Sequence, residues 1–262
     1  MQRLRLLAGR RAARWDARRF VVEGPKLLQE ALAAGAAVEA VYLDDGSATP
    51  EHLGLAEQAR ERGARLYRTV PGVLARACDA VTPQPVAAVV EMVDQPLDRL
   101  AALRPDPVVV AVDLQDPGNA GTVIRSAAAS GVGAVVFCAG AVDIFNPKTV
   151  RASAGSVFHV PMAAGAAVED ALEAVATWGL RRVATVARGG RPYDQTDLGR
   201  PTAIVLGSES HGLPERLADR LDERVTIPMV AATESLNVAM AATVVCFEAA
   251  RQRRLRAGRG AA

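Results

Sequence analysis

This chain is short of several residue types on which large classes of protein depend. It has three cysteines among 262 residues (Cys78, Cys138 and Cys246), odd in number and far apart. That spacing fits neither a disulfide framework nor a metal cluster, so we expect no bound metal and a reducing, cytoplasmic environment. No apolar run reaches the roughly 18–20 residues that a membrane span needs. The arginine-rich first 19 residues also lack the apolar core of a signal peptide.

Several catalytic signatures are missing as well. The segment GVGAVV (131–136) lacks the third glycine of a dinucleotide-binding fingerprint, and it leads into a strand instead of opening a helix. The sequence has no phosphate-loop lysine, nucleophile elbow, zinc spacing or paired-carboxylate signature. These absences disfavour a Rossmann-type enzyme that acts on small metabolites.

Lysine is scarce, at Lys26 and Lys148 alone, whereas arginine concentrates at both ends of the chain. Residues 1–20 contain seven arginines and one acid, and residues 251–260 add five arginines with no acid. Basic ends on a body of net charge +2 favour contact with a polyanion, although genome base composition is an alternative source of the arginines. The candidate contacts in the first 19 residues are Arg11, Arg14, Arg18 and Arg19.

The composition, 50% apolar and 23% charged, is that of a globular protein. Apolar runs at 20–24, 40–45, 64–69 and 86–92 predict strands. Helices are expected after Pro25, at 51–62 and at 71–80. The sequence therefore predicts a small α/β/α domain over residues 20–93, preceded by a basic arm over residues 1–19.

A break in composition follows at residues 94–107, where three prolines and mixed charges predict a linker. Apolar runs at 107–114, 134–140, 181–187, 202–207 and 224–228 then predict strands of a second α/β domain over residues 108–256. Because these runs do not alternate with polar residues, a parallel sheet covered on both faces is expected. A last helix is predicted at about 235–255, and residues 257–262 form a flexible tail.

Three segments of this second domain share one character: a strand end, a turn and then a helix. They are DPGNAGTVIRSAAASG (116–131), VLGSESHGL (205–213) and IPMVAATESLNVAMAA (227–242). Turns of this kind present backbone N–H and C=O groups that can hold a small polar cofactor. We expect the three turns to form one site.

The first segment places Asn119 at a predicted N-cap and Arg125 one to two turns into an apolar helix. A lone guanidinium in such surroundings needs an anionic partner, which is either a ligand or a salt bridge to Asp116 or Glu209. The local pattern does not decide between these two interpretations.

The other two segments are equally open on spacing alone. Gly207 and Gly212 bracket a stretch that is either a plain strand-to-helix loop or a ligand-binding turn. Ser235 is a plausible N-cap of the last helix, and Asn237 is either an exposed first-turn residue or part of the site.

Taken together, the segments resemble the SpoU branch of the SPOUT RNA methyltransferases. The first motif of that family, Asn-x-Gly followed by x-x-x-Arg, matches Asn119, Gly121 and Arg125. The second, Gly-x-Glu-x-x-Gly, matches residues 207–212, and the third, Ile-Pro-Met followed by Ser-Leu-Asn-Val, matches residues 227–229 and 235–238. Order and spacing agree over residues 108–252. The first 93 residues also resemble the family's substrate-recognition domain.

The resemblance implies an α/β fold whose C-terminal domain has a parallel sheet and a deep trefoil knot. It also implies S-adenosylmethionine as cofactor and a homodimer in which both subunits build the site. The expected enzyme is an RNA methyltransferase that modifies a ribose 2′-hydroxyl of tRNA or rRNA. The alternatives are a base-directed methyltransferase of the same fold and a knotted RNA-binding protein without catalytic activity.

The resemblance also assigns roles to residues. Arg125 would position or activate the 2′-hydroxyl, and Asn119, Glu209, Ser235 and Asn237 would orient Arg125 or the ribose. The segment at 146–161 resembles the family's connecting helix, with Lys148 and Arg151 as RNA contacts. The residues expected around the cofactor are Leu206, Gly207, Gly212, Ile227, Met229, Ser235 and Leu236.

Overall fold

The computed structural model describes residues 1–78, 84–208, 211–230 and 235–260. Strands and helices alternate along this length. The strands are β1 (Arg19–Glu23), β2 (Val38–Asp44), β3 (Arg65–Thr69), β4 (Val86–Glu91), β5 (Val108–Ala111), β6 (Ala134–Cys138), β7 (Met162–Ala166), β8 (Arg181–Thr185), β9 (Arg191–Pro192), β10 (Thr202–Leu206) and β11 (Glu223–Thr226). The helices are α1 (Gln2–Gly9), α2 (Arg11–Ala17), α3 (Pro25–Ala33), α4 (Pro50–Glu61), α5 (Leu97–Ala102), α6 (Pro117–Ser130), α7 (Pro147–Ala152), α8 (Val168–Thr177) and α9 (Val238–Gly260).

The chain divides into two compact units. Unit 1 contains residues 1–93 and 143–159, and unit 2 contains residues 94–142 and 160–262. The segment 143–159 therefore packs with the first unit, although it follows β6 of the second unit in the chain. Within the segment predicted as a linker, residues 97–102 form helix α5. The domain boundaries inferred from the sequence stay predictions.

Unit 1 has a four-stranded sheet in the order β1-β4-β2-β3. Strand β4 is antiparallel to β1 and β2, and β2 is parallel to β3. Helix α1 and the turns at 71–77 cover one face, where Leu4, Leu7 and Leu74 pack on Val21 and Val89. Helix α3 buries Leu27, Leu28, Ala31 and Leu32 in the same way, as the periodic apolar residues predict.

Two sequence-based expectations for unit 1 need correction. Residues 2–17 form helices α1 and α2 and bury leucine side chains, so this stretch is not only a basic arm. Residues 71–78 form turns, not the predicted helix, and positions 79 and 80 of that prediction lie outside the described residues. Pro71 and Gly72 at its start favour turns over helix.

Arg14 is a further correction, because its guanidinium is buried and cannot bind RNA as predicted. The residue is 2% exposed, and its Nε donates to the Asp143 carboxylate at 2.8 Å. Its Nη1 donates to the carbonyl oxygens of Leu7 and Ala8, at the end of α1. Arg14 therefore fastens α1 and α2 to the segment 143–159.

Unit 2 has a seven-stranded sheet in the order β7-β6-β5-β10-β8-β11-β9. Every neighbouring pair in it is parallel. Helices α5 and α8 cover one face, on which Val108, Val110, Val136 and Val205 are buried. Helices α6 and α9 pack together and contact β6 and β10. The predicted α/β fold with a covered parallel sheet is confirmed, whereas the trefoil knot stays a prediction.

Candidate functional site

A cavity of about 510 Å³ opens in unit 2 at the carboxyl ends of strands β8, β10 and β11. These strands are neighbours in the sheet, so the segments that follow them meet at one edge. The predicted cofactor residues that line the cavity are Gly207, Gly212, Ile227, Met229, Ser235 and Leu236. The expectation that the second and third turns lie together is met in this geometry.

The turn after β10 is built around two glycines that cannot be exchanged freely. A Cβ atom on Gly207 would lie 2.4 Å from the backbone carbon of Gly212, closer than real contacts allow. Gly212 has a φ of +66°, which favours glycine. The amide of Ser208 donates to the Gly212 carbonyl at 2.9 Å, and the Gly212 amide returns a bond of 3.1 Å. The close approach therefore holds Ser208 and Gly212 together where both line the cavity.

Leu206 and the segment after β8 differ from the prediction. Leu206 is fully buried as the last residue of β10 and is not part of the cavity lining. Thr185, Val186 and Ala187 do line the cavity, and sequence reasoning missed them. Their position at the end of a predicted strand is the one feature of the sequence that could have indicated them. Many residues without a ligand-binding role share that position.

Helix α6 starts earlier than predicted. Its N-cap is Asp116, whose carboxylate accepts a hydrogen bond of 2.8 Å from the Asn119 amide, with Pro117 in the first turn. Asn119 is therefore the third helical residue, and its side chain is not needed for capping. The amide group of Asn119 instead makes a contact outside its own helix.

Helix α9 supplies that contact. The Asn237 side-chain oxygen accepts from the amides of Ala239 at 2.9 Å and Met240 at 3.3 Å, so Asn237 and not Ser235 caps the helix. The Asn237 Nδ2 donates to Asn119 Oδ1 at 2.9 Å. Ser235 lies just before the cap and lines the cavity. The first and third predicted motifs are thus joined through two asparagines.

Arg125 lies on the exposed side of α6. Among the described residues its side chain has no ion pair or hydrogen bond, so the proposed salt bridge to Asp116 is not formed. The other proposed partner, Glu209, lies outside the described residues. An exposed arginine without an intramolecular partner keeps its full hydrogen-bonding capacity for a ligand.

The other predicted RNA contacts belong to unit 1. Arg11, Arg18 and Lys148 are exposed, and the Arg18 guanidinium lies 5.4 Å from the centre of the Trp15 ring. Arg19 forms ion pairs with Glu39 and Glu91. The Arg151 guanidinium is paired with the buried carboxylate of Glu23 at 3.1 Å.

The three cysteines do not supply a nucleophile. Burial raises the pKa of the Cys78, Cys138 and Cys246 thiols to about 12 each. Because the thiolate is the reactive form, these groups are unreactive at neutral pH. All three are free cysteines.

Two further surveys cover the described part of the chain. No helix there is both long and apolar enough to cross a bilayer. Within the same ranges, no group of three or more histidine, cysteine, aspartate or glutamate side chains is arranged to hold a metal ion.

The parallel sheet and the cavity at its carboxyl edge define an α/β protein with a ligand site at the strand ends. The chain belongs to the SpoU rRNA methylase family, whose family model matches residues 106–247. Residues 1–88 match a second model, described as the MRM3-like substrate binding domain.

Individual relatives agree with this assignment. The chain is 32% identical to the 23S rRNA (guanosine(2553)-2′-O)-methyltransferase RlmP of Bacillus subtilis, over 87% of each chain. It is 35% identical to the 23S rRNA (uridine(2479)-2′-O)-methyltransferase of Streptomyces viridochromogenes, over 96% of this chain and 89% of the relative. Its structure is similar to the AdoMet-bound rRNA methyltransferase from Sinorhizobium meliloti, with a TM-score of 0.84, 31% identity and coverage of 95% and 93%.

Proposed function

We propose that this chain is a cytoplasmic enzyme that transfers a methyl group from S-adenosylmethionine to a ribose 2′-hydroxyl of RNA. The observation that carries the proposal is the cavity at the carboxyl ends of β8, β10 and β11, with the Asn119–Asn237 contact in the same unit. Ribosomal RNA is the first substrate to test, because the two relatives named above act on 23S rRNA. Transfer RNA is the second.

The cavity suits this cofactor in size and in the character of its lining. Its volume of about 510 Å³ lies in the range of small-molecule sites. The glycine at position 207 leaves room for backbone to approach a ligand closely, since no Cβ fits there. Gly207, Ile227 and Leu236 would hold the cofactor, largely through backbone groups, with Met229 and Ser235 around them. When bound, S-adenosylmethionine supplies an electrophilic methyl group that is ready for attack by an oxygen nucleophile.

Arg125 would act on the RNA. Its guanidinium is exposed and has no partner among the described residues, so it can bridge a backbone phosphate and the ribose 2′-oxygen. A guanidinium is a poor base because it stays protonated, so Arg125 stabilises the negative charge that develops on the oxygen. The proton of the hydroxyl passes to a substrate phosphate or to water.

The asparagines would position the reacting groups. Asn119 lies in the first turn of α6 and Asn237 caps α9, and the bond of 2.9 Å between them joins the two helix ends. Ser235 and Glu209 are proposed to complete the polar surroundings of the ribose. Orientation of this kind contributes to catalysis by holding the nucleophile in line with the methyl group.

We further propose that the working enzyme is a homodimer with a trefoil knot in unit 2. Helix α9 supports the dimer, because Met240 and Phe247 are 55% and 43% exposed and lie seven residues apart on one face. Exposed apolar side chains in such an arrangement are typical of a surface that a partner covers.

The test is transfer of tritiated methyl from S-adenosylmethionine to unmodified 23S rRNA, 16S rRNA and tRNA in separate reactions, followed by nucleoside analysis. A 2′-O-methylated nucleoside in one pool is the expected result. A base-methylated nucleoside would overturn the ribose assignment. Absence of both methyl transfer and binding of labelled cofactor would favour a non-catalytic RNA-binding protein.

A further inference from the structure

An ion pair in unit 1 has one buried partner and one partner that reaches solvent. Glu23 ends strand β1, and its side chain is 1% exposed. Arg151 lies on α7, and its Nη1 is 3.1 Å from Glu23 Oε1. That nitrogen is buried, whereas 30% of the Arg151 side chain is exposed. The buried nitrogen of the guanidinium therefore lies against a carboxylate in an ion pair that lacks hydrogen-bond geometry, and the exposed part of the side chain is open to a ligand.

A contribution to folding stability does not by itself explain why this ion pair has a buried carboxylate. A buried ion pair loses so much hydration that apolar residues of similar volume commonly stabilise a fold as well or better. A buried carboxylate does, however, attract a guanidinium strongly, because the protein interior screens charge less than water does, and so it limits the positions that the arginine can adopt. Fixed orientation is valuable when the arginine must meet a second anion.

Two further cations lie close to the members of this pair along the chain. Lys148 is exposed and lies one helical turn before Arg151 on α7. Lys26 is exposed in the first turn of α3, three residues after Glu23. Neither lysine has an ion pair within the ranges that the structure describes.

The helices that carry these cations are held together within unit 1. A Cβ atom on Gly155 would lie 2.5 Å from Glu30 Cγ, which shows how closely the segment after α7 packs on α3. Glu30, the nearby acid on α3, contacts the His159 ring, with 2.7 Å between Glu30 Oε2 and His159 Nε2. The exposed charges of Lys26, Lys148 and Arg151 thus lie on adjoining elements.

We propose that Glu23 is a positioning residue that presents Arg151, with Lys26 and Lys148 beside it, to a phosphate of the RNA backbone. This inference rests on the proposed function and extends it, because it gives unit 1 a phosphate-binding cluster whose geometry depends on a buried acid. The residue that touches RNA is Arg151, and Glu23 acts through it.

The direction in which Glu23→Gln changes RNA affinity distinguishes a positioning role of Glu23 from a purely electrostatic one. Glu23→Gln keeps the shape of the side chain but removes a negative charge from the neighbourhood of the phosphate. If Glu23 acted only through its charge, RNA would bind more tightly. If Glu23 orients Arg151, RNA binds more weakly, because the guanidinium is no longer held.

The experiment measures binding of the full chain to an unmodified 23S rRNA transcript between 50 and 200 mM KCl, on the order of the range over which phosphate contacts are lost. Arg151→Gln is expected to weaken binding about ten-fold, and Glu23→Gln between about three- and ten-fold. Each should reduce the slope of log affinity against log salt by roughly one. The double variant should bind about as well as Arg151→Gln alone, because both changes disable one contact.

Arg68→Gln is the matched control, since Arg68 is an exposed arginine of unit 1 that is paired with Asp45 at 2.7 Å. It should leave affinity within about two-fold, as expected of a surface pair. Wild-type affinity in Glu23→Gln, or an equal loss in Arg68→Gln, would overturn the inference.

Two further measurements guard against misfolding and against failure of the proposed function. Cofactor binding should be near wild type in the variants, and the KM for RNA should rise more than kcat falls. Arg151→Gln should unfold at a lower temperature than Glu23→Gln, because it removes the cation beside a buried carboxylate. If Glu23→Gln does not fold, Arg151→Lys decides, because an unchanged affinity and salt slope in that variant would exclude a role for the held guanidinium. A wild-type chain that binds the transcript without methylating it would contradict the proposed function alone.

Discussion

At single residues, the site combines a glycine that leaves no room for a side chain with an arginine that has no ion pair or hydrogen bond to any described residue. Gly207 has no side chain, and a Cβ atom at its position would overlap the backbone of Gly212. The turn beside the cavity can therefore form only with glycine at this position. Arg125 offers a charge that nothing in the described chain neutralises. In the proposed mechanism Gly207 serves cofactor binding and Arg125 serves the RNA, so substitutions at the two positions should affect the two activities separately.

Arg125→Lys tests whether a planar guanidinium is required. We expect kcat to fall about 100-fold or more, because lysine cannot make two parallel hydrogen bonds, while cofactor affinity stays unchanged. The measurement is methyl transfer under saturating cofactor, alongside equilibrium binding of labelled cofactor.

Arg200→Lys is the control for Arg125→Lys. Arg200 is also exposed in unit 2, but it precedes β10 and so lies at the opposite end of that strand from the cavity. Full activity in Arg125→Lys, or an equal loss in Arg200→Lys, would contradict the assigned role.

Gly207→Ala should damage the cofactor site directly. The added methyl group must displace the Gly212 backbone, at a cost of about 1–3 kcal/mol in stability. We expect cofactor affinity, measured by calorimetry, to fall at least about ten-fold as the turn opens.

Gly54→Ala is the matched control, since Gly54 lies in α4 with nothing within 4 Å of an added Cβ. It should raise stability by about 0.5–1 kcal/mol. Normal cofactor binding by Gly207→Ala would show that the turn tolerates a side chain.

At the scale of whole elements, the sheet order decides which chain segments meet. Strands β8, β10 and β11 are neighbours, so the turns after them surround one cavity. Helices α6 and α9 pack side by side, with a contact of 2.7 Å between the hydroxyl oxygens of Ser126 and Thr243. The asparagine contact at their ends therefore belongs to a larger helix–helix interface.

Two variants of Asn237 separate its capping role from its contact with Asn119. Asn237→Ala should cost about 1 kcal/mol, because it removes the N-cap of α9, and it also breaks the contact. Asn237→Asp retains the cap but cannot donate to Asn119 Oδ1. If the contact serves catalysis, kcat should fall in both variants while the melting temperature falls mainly in Asn237→Ala.

The ion pair between Arg182 on β8 and Asp222, just before β11, predicts how the free energy of unfolding depends on pH. The hydrogen bonds from Arg182 hold the pKa of the Asp222 carboxyl below its ordinary value and join β8 to the turn before β11. A lowered folded-state pKa stabilises the protein above the unfolded value of about 4, and this contribution is lost as pH falls through the folded value.

Asp222→Asn should therefore be less stable than wild type by about 0.5–1 kcal/mol at pH 7. The difference should persist to about pH 5 and shrink below about pH 4. Urea unfolding between pH 3 and pH 7 measures it, with Asp219→Asn as the control on a nearby exposed acid. A difference that grows on acidification would contradict the assignment.

At the scale of the whole molecule, the chain combines a substrate-binding unit with a methyltransferase unit, and the segment 143–159 returns from the second to the first. The proposed homodimer adds a second copy of α9. Light scattering should give twice the protomer mass of 27.4 kDa for the wild type. Phe247→Lys should shift the mass toward the monomer, because a charge in an apolar interface costs affinity.

Leu53→Lys on α4 of unit 1 is the control for Phe247→Lys, since Leu53 is also partly exposed. It should leave the mass unchanged. A monomeric wild type at all concentrations would contradict the homodimer.

The sequence by itself determined the fold class and the parallel sheet, and its motifs named six of the residues that line the cavity. Continuous apolar runs predict buried parallel strands, and Gly207, Ile227 and Leu236 stand where motif spacing places them. Apolar runs and motif spacing are both local features of the sequence, so they can be recognised without knowledge of the fold. Predictions failed where local signals compete, as at 71–78, where Pro71 and Gly72 override a helical pattern.

Only the tertiary structure decided which side chains meet. Asn119 and Asn237 are 118 positions apart, and no local pattern shows that they bond. Arg14 is one of seven arginines in a basic stretch, and its burial against Asp143 depends on a segment 129 residues away. Cavities, ion pairs and burial arise from long-range packing, so they follow from the arrangement of the elements and not from the order of residues within any one of them.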